Sequence, residues 1–143
     1  MYRNILIATD GSKLATDAAR QAIALAKSLD SKVTVVTVTE PFYWYDANIP
    51  ADAQPGYVQE ARREAKQILA GLADAARSAG VSCETVHIEQ GPPYLSIIET
   101  AQARNCDLIV MGSHGRSGVA AVVLGSHTVK VLTHTKIPVL VYR

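Results

Sequence analysis

Cysteine is nearly absent: the 143 residues hold two, Cys83 and Cys106. They form no C-x-x-C pair and have no spaced histidine partners, so a zinc site or a thioredoxin-like redox pair finds little support. Two buried free thiols are the expectation. An excess of charge of one sign is missing as well, since 14 Lys and Arg stand against 13 Asp and Glu for a net charge of +1. That removes the strong basic bias which binding to nucleic acid or to an anionic membrane normally needs, so any polyanion site must be local. Long apolar runs are also missing. The longest, residues 119–124, falls far short of the roughly 20 residues that span a bilayer, and no membrane span is expected. The opening Met1-Tyr2-Arg3-Asn4 lacks the charged, apolar and small-residue succession of a secretory signal, which makes the cytoplasm the expected compartment.

What the sequence does contain is core. With 48% hydrophobic and 19% charged residues, it fits one domain over residues 1–143. A domain of about 150 residues buries roughly 68–70% of the surface of its unfolded chain, so neither a disulfide nor a structural metal is needed to hold it. Residues 3–9 carry Ile5-Leu6-Ile7-Ala8 and stop at Asp10-Gly11-Ser12, a buried strand followed by a turn and a helix start. Ala15, Ala18, Ala19, Ala22, Ile23, Ala26 and Leu29 then follow the helical period and give a small-residue face. Residues 33–38, Val-Thr-Val-Val-Thr-Val, are β-branched throughout and make the second strand.

Residues 40–56 contain Pro41, Pro50 and Pro55 without periodicity and read as a long loop. A second helix is predicted over residues 57–79, with Ala61, Ala65, Ile68, Leu69, Leu72, Ala76 and Ala79 on one face and Gly80 as its stop. Residues 82–89 alternate Cys83, Thr85 and His87 with Glu84, Val86 and Ile88, a half-polar strand suited to a sheet edge. Gly91-Pro92-Pro93 opens a third helix carrying Leu95, Ile98 and Ala101, and Leu108-Ile109-Val110-Met111 is a fully apolar fourth strand. Residues 128–133 read as a last short helix. Residues 137–142 read as a fifth strand, which Pro138 restricts to an edge or a strand start.

Strands alternating with helices, the most apolar strands being first and fourth, imply an α/β fold: an open parallel five-stranded sheet with helices on both faces. Right-handed crossovers and the burial pattern are satisfied by the order 3-2-1-4-5, which puts the topological switch between the first and fourth strands. Ligands bind at that crevice in such sheets. Both strands end there in a Gly-Ser pair, Gly11-Ser12 after the first and Gly112-Ser113 after the fourth.

The stretch from Gly112 reads Gly-Ser-His-Gly-Arg-Ser-Gly-Val-Ala-Ala-Val-Val-Leu-Gly-Ser, so that Gly112, Gly115 and Gly125-Ser126 form G-x2-G-x9-G-S. Glycine lets a backbone approach a phosphate closely, and Ser126 stands where the following helix would present free N–H groups and a positive dipole end. Taken as spacing alone, the same glycines serve a plain strand-to-helix loop equally well.

Met111-Gly112-Ser113-His114-Gly115-Arg116, Gly125-Ser126, the closing Ile137-Pro138-Val139-Leu140-Val141 and the opening Asn4-Ile5-Leu6-Ile7-Ala8-Thr9-Asp10-Gly11-Ser12 together resemble the universal stress protein family, and the nine-residue spacing resembles its ATP-binding branch. The resemblance spans the chain. It implies the sheet inferred above, binding of ATP or another adenine nucleotide with magnesium or manganese, and a homodimer. By position it implies that Asp10 lies near the nucleotide and that the backbone at Val38 meets adenine. Gly112, Gly115, Gly125 and Ser126 match the phosphate positions, with Met111, His114, Arg116 and His127 adjacent and Ala8 and Thr9 on the pocket wall. Ala8 stands where some relatives have proline.

Two of these residues keep alternatives. Asp10 would serve as a helix cap, or as a hydrogen-bond partner of ribose or a water-mediated member of a metal shell; the ribose is favoured, since a carboxylate directly against a triphosphate would be repelled. His127 would serve as a solvated first-turn residue. Phe42-Tyr43-Trp44-Tyr45, half of the aromatics, either packs over the second helix or the sheet edge or forms a lid or docking surface. The apolar edge strand formed by Ile137, Pro138, Val139, Leu140, Val141 and Tyr142 is the expected twofold dimer seam.

Function follows from that comparison. The expected role is an ATP-binding regulator of the stress response, read by an unidentified protein partner, with a slow magnesium-dependent ATPase as the alternative. No G-x-x-x-x-G-K-[ST] loop, no lysine in the glycine segment and no evident catalytic base beyond His114 or Asp10 are present, so no residue is assigned as catalytic. A response-regulator receiver would need an aspartate ending the third strand and a lysine ending the fifth, and Glu89 and residues 137–142 do not supply them.

Overall fold

A computed structural model of the chain describes residues 1–39, 50, 54–114 and 124–143. Among these the elements are β1 (Asn4–Ala8), α1 (Lys13–Leu29), β2 (Lys32–Val38), α2 (Gln54–Ser78), β3 (Cys83–Ile88), α3 (Pro93–Ala103), β4 (Leu108–Gly112), α4 (Ser126–His134) and β5 (Val139–Tyr142). All strand pairs are parallel and the order is β3-β2-β1-β4-β5. Every residue of β1 and β4 is buried, as it must be for strands covered by helices on both faces. The switch therefore falls between β1 and β4, paired through Ile5–Leu108, Leu6–Ile109 and Ile7–Val110.

The alternation of side chains along each strand divides the interior in two. Ile5, Ile7, Val33, Val35, Leu108 and Val110 face α1 and α2. Leu6, Ala8, Val36, Ile109 and Met111 meet Ile97 and Ala101 of α3 and Val131 of α4 on the other side. Alanines make the first contact close: Ala18, Ala19, Ala22 and Ala26 are almost completely buried.

Three helices end in the same way before handing the chain to a strand. Asp30, Gly80 and Asn105 have φ of 55°, 76° and 54°. The N–H of the following residue, Ser31, Val81 or Cys106, returns to the carbonyl of Ala26, Ala76 or Ala101 at 2.8 Å. This six-to-one bond satisfies a carbonyl that the helix leaves over. At the same rim the Asp107 carboxylate accepts the N–H groups of Arg3 and Asn4, the shortest contact being 2.9 Å. The Thr34 hydroxyl donates to Asn4 Oδ1 at 3.2 Å.

Several expectations need correction. Helix α2 begins at Gln54, taking in Pro55 and Gly56 from the expected loop; a first-turn proline loses no hydrogen bond, because that N–H has no partner inside the helix. Helix α3 buries Ile97 beside Ile98 and leaves Leu95 40% exposed. Cys83 is only partly buried, since β3 is an edge strand, whereas Cys106 is buried; both are free thiols. Helix α4 is longer at both ends than residues 128–133. Ile137 and Pro138 precede β5 rather than belong to it, and the Pro138 carbonyl accepts the Ile109 N–H at 2.9 Å. Among the described residues no helix is long and apolar enough to cross a membrane.

Candidate functional site

At the C-terminal end of β1 the chain turns sharply into α1. The buried Thr9 donates its N–H to the Val36 carbonyl at 3.0 Å and accepts the Gly11 N–H on Oγ1 at 3.1 Å. Gly11 takes φ 79°, a conformation natural to glycine. Asp10 Oδ1 accepts the Ser12 N–H at 2.9 Å, an Asx turn. Ser12 is the residue that caps α1, accepting the Ala15 N–H at 3.3 Å. The capping alternative for Asp10 is thus taken by Ser12, and Asp10, half-buried, shapes the turn ahead of it.

The end of β4 is built against the start of α4. Met111, Gly112 and Ser113 are buried and His114 half-buried. The Ser113 N–H reaches the Tyr142 carbonyl at 2.8 Å, extending the contact with β5. Ser113 Oγ lies 3.2 Å from His114 Nδ1. A Cβ on Gly112 would sit 3.4 Å from Leu14 Cγ, so α1 crosses close to this strand end. Gly125 is more constrained. A Cβ there would lie 3.0 Å from His114 Cα and 3.2 Å from the Ser113 oxygen, both fixed main-chain atoms. Its N–H meets that same oxygen at 2.6 Å.

Helix α4 starts at this contact with Gly125 as N-cap, a residue with no side chain of its own to cap the helix. The first-turn N–H groups of a helix lack intrahelical partners and carry the positive end of its dipole. Ser126 and His127 are exposed in that turn. Val38 stands half-buried at the end of β2, next to Thr39, whose N–H reaches the Ile88 carbonyl at 2.8 Å.

The structure therefore brings Ala8, Thr9, Asp10, Met111, Gly112, His114, Gly125, Ser126 and His127 to the ends of the two central strands, with Val38 one strand away. Gly115, Arg116 and the Phe42-Tyr43-Trp44-Tyr45 segment lie outside the described residues. One residue of the site escaped sequence reasoning, Thr128, whereas Ser113 enters that reasoning only as half of the Gly-Ser pair after the fourth strand. The usable signal for Thr128 was its spacing from Val131, which puts both on the inner face of α4. A second groove, about 420 Å³, opens between α2 and β3 beside Arg62, Lys66, His87 and Glu89. Arg62 holds the Glu89 carboxyl below its ordinary pKa through a 2.5 Å hydrogen bond. None of its lining comes from the glycine segment.

The family model described as "Universal stress protein family" matches residues 1–143. The chain belongs to the universal stress protein family. A universal stress protein of Methanocaldococcus jannaschii is 34% identical over 146 residues, covering 100% of this chain and 83% of that protein. The crystal structure of a universal stress protein family member from Burkholderia pseudomallei matches with a TM-score of 0.80 and 26% identity over 98% of this chain and 95% of that one. Two more universal stress proteins share the fold at 24% and 22% identity, each with a TM-score of 0.72 over 99% of this chain and 97% and 98% of theirs. The first was solved in complex with cAMP and the second, from Archaeoglobus fulgidus, in complex with dAMP. The sheet order and four described helices of this universal stress protein agree with the fold of these relatives.

Proposed function

We propose that this universal stress protein binds ATP, with magnesium or manganese, at the ends of β1 and β4, and acts in the cytoplasm as a nucleotide-dependent regulator of the stress response. The observation that carries the reading is the start of α4 at Gly125, set against the end of β4 at the topological switch. The positive end of a helix dipole at such a position suits phosphate oxygens. Ser126 supplies a hydroxyl donor there, and His127 and His114 supply imidazoles. Asp10 and the Val38 backbone are assigned to the ribose and adenine, and Ala8, Thr9 and Met111 to the wall. Gly115 and Arg116 complete the phosphate segment by their place in the motif. That proteins of the same fold hold cAMP and dAMP supports an adenine nucleotide as the ligand class.

The donor set also fits a phosphate-bound divalent ion. Among the described residues no group of three or more His, Cys, Asp and Glu side chains gathers as a protein-made metal cage. Magnesium commonly relies on one or two carboxylates, water and the substrate's own phosphates, and Asp10 is the carboxylate at the end of β1. When bound, the ion would neutralise phosphate charge. Two copies are proposed to join through β5 and the residues leading into it, Ile137, Pro138, Val139, Leu140, Val141 and Tyr142, and an unidentified protein partner reads the nucleotide state.

Calorimetric titration of nucleotide-stripped protein with ATP, with and without magnesium, tests the reading. Metal-dependent micromolar binding near one per chain is expected. Absence of heat and of any thermal shift would overturn it, and turnover of the bound ATP in the same samples would favour the slow ATPase over a pure regulator.

A further inference from the structure

We infer that Thr128 is a positioning residue for the phosphate end of this site, an inference that rests on the nucleotide-binding reading above. Thr128 is 2% exposed, in the first turn of α4. Its hydroxyl donates to the Gly112 carbonyl at 3.0 Å and lies 3.3 Å from the Ser113 carbonyl. One proton is shared between two main-chain oxygens at the end of β4. The buried hydroxyl therefore joins α4 to the strand end across 16 positions of sequence.

The joint has little slack. The Ser113 carbonyl also accepts the Gly125 N–H, and the Gly125 carbonyl accepts the Val129 N–H at 3.0 Å, so the first turn of α4 is hung from the same peptide groups. A methyl group on Gly125 would be crowded by His114 Cα at 3.0 Å. Ser113 is itself held by Tyr142 of β5. Removing the Thr128 hydroxyl would leave two carbonyls at the mouth of the crevice with less hydrogen bonding and would free α4 to shift along the strand end. Oxygen lone pairs directed toward a polyphosphate oppose its charge, and a displaced helix start misaligns its N–H donors. The adenosine half of the ligand, assigned to Asp10 and Val38, is held by β1 and β2 and does not depend on this joint.

The consequence is a selective one. Thr128→Val keeps shape while removing the hydroxyl, and it should weaken ATP binding about tenfold or more while changing adenosine affinity less than about twofold. Thr128→Ser, which restores the donor, should recover most of the wild-type ratio of ATP to adenosine affinity. Titration calorimetry of both ligands against the wild type and both variants reads this ratio, which a general loss of packing would leave in place. Where Thr128→Val does not fold, Thr128→Ala removes the same donor with less bulk and carries the same expectation. A folded hydroxyl-free variant with the wild-type ratio overturns the assignment of Thr128 alone. Wild-type protein that binds neither ATP nor adenosine overturns the nucleotide reading and this inference together.

Discussion

The Asn4 side chain, at the start of β1, donates from Nδ2 to the main-chain carbonyl of Arg104, just past α3, at 2.9 Å. Asn4 is 2% exposed and also accepts the hydroxyl of the fully buried Thr34. One amide thus ties two strands to a helix end, at the rim opposite the glycine segment.

Asn4→Ala removes both partners from buried groups, and leaving a buried polar group unsatisfied costs about 1–3 kcal/mol. Urea unfolding should show a lower midpoint with an unchanged slope. Nucleotide affinity per folded chain should stay as it is, because the substitution lies at the far end of the sheet. A midpoint equal to the wild type would show that the contact contributes nothing.

Asp30 is an L-residue with φ 55° at the end of α1. Left-handed geometry disfavours a Cβ by roughly 1–2 kcal/mol, partly returned by the larger entropy that glycine loses on folding. Asp30→Gly should therefore stabilise the fold by about 0.5 kcal/mol. Denaturant titration checks it, and a loss of stability would mean that the carboxylate has a role of its own there.

Burial pushes the Cys106 thiol above its ordinary pKa, a rise that a hydrogen bond with Thr34 only partly offsets. Burial does the same to Cys83, helped by Glu84. A raised folded pKa favours the neutral thiol, so its contribution is complete below the ordinary thiol pKa and is lost as pH rises through the raised value. Stability should therefore decline with pH across the alkaline thiol range, with a smaller decline in Cys106→Ala. At neutral pH a thiol-specific reagent should label the partly exposed Cys83 slowly and Cys106 only on unfolding. Rapid labelling of Cys106 in the native state would contradict this.

Leu140 lies in the edge strand β5 and is 47% exposed. It is a better probe of the proposed dimer than Val139, which packs against the α3 and α4 side of the core. Leu140→Glu should convert a micromolar dimer to a monomer in sedimentation velocity without unfolding it. A variant that still sediments as a dimer would move the seam elsewhere.

The sheet was legible because β1 and β4 are apolar on both faces, a pattern that only central strands of a doubly covered sheet require. Half-polar β3 announced itself as an edge for the same reason. What was less legible depends on single positions. Leu95 and Ile97 are equally apolar, and which of them turns inward is decided by where α3 begins. The stop at Gly80 could be read from its residue type, whereas Asp30 and Asn105 adopt the same geometry less commonly and carry no such label. At the site, the motif located Gly112, Gly125 and Ser126. The bond from Thr128 to Gly112 joins residues 16 positions apart, and its basis is spatial.

The connections between elements are not alike at the two rims. All four described helices pass to their next strand through two to four residues, three of the returns being closed by left-handed turns at Asp30, Gly80 and Asn105, whereas of the four strand-to-helix connections residues 9–12 and 89–92 are as short and residues 39–53 and 113–125 are longer. An added or deleted residue at a short return would rotate the next strand out of register, but a change of length within either longer connection leaves every strand pairing where it was. Length changes within these two connections therefore leave the sheet register untouched, whereas the same change at a helix return would be felt in every strand beyond it.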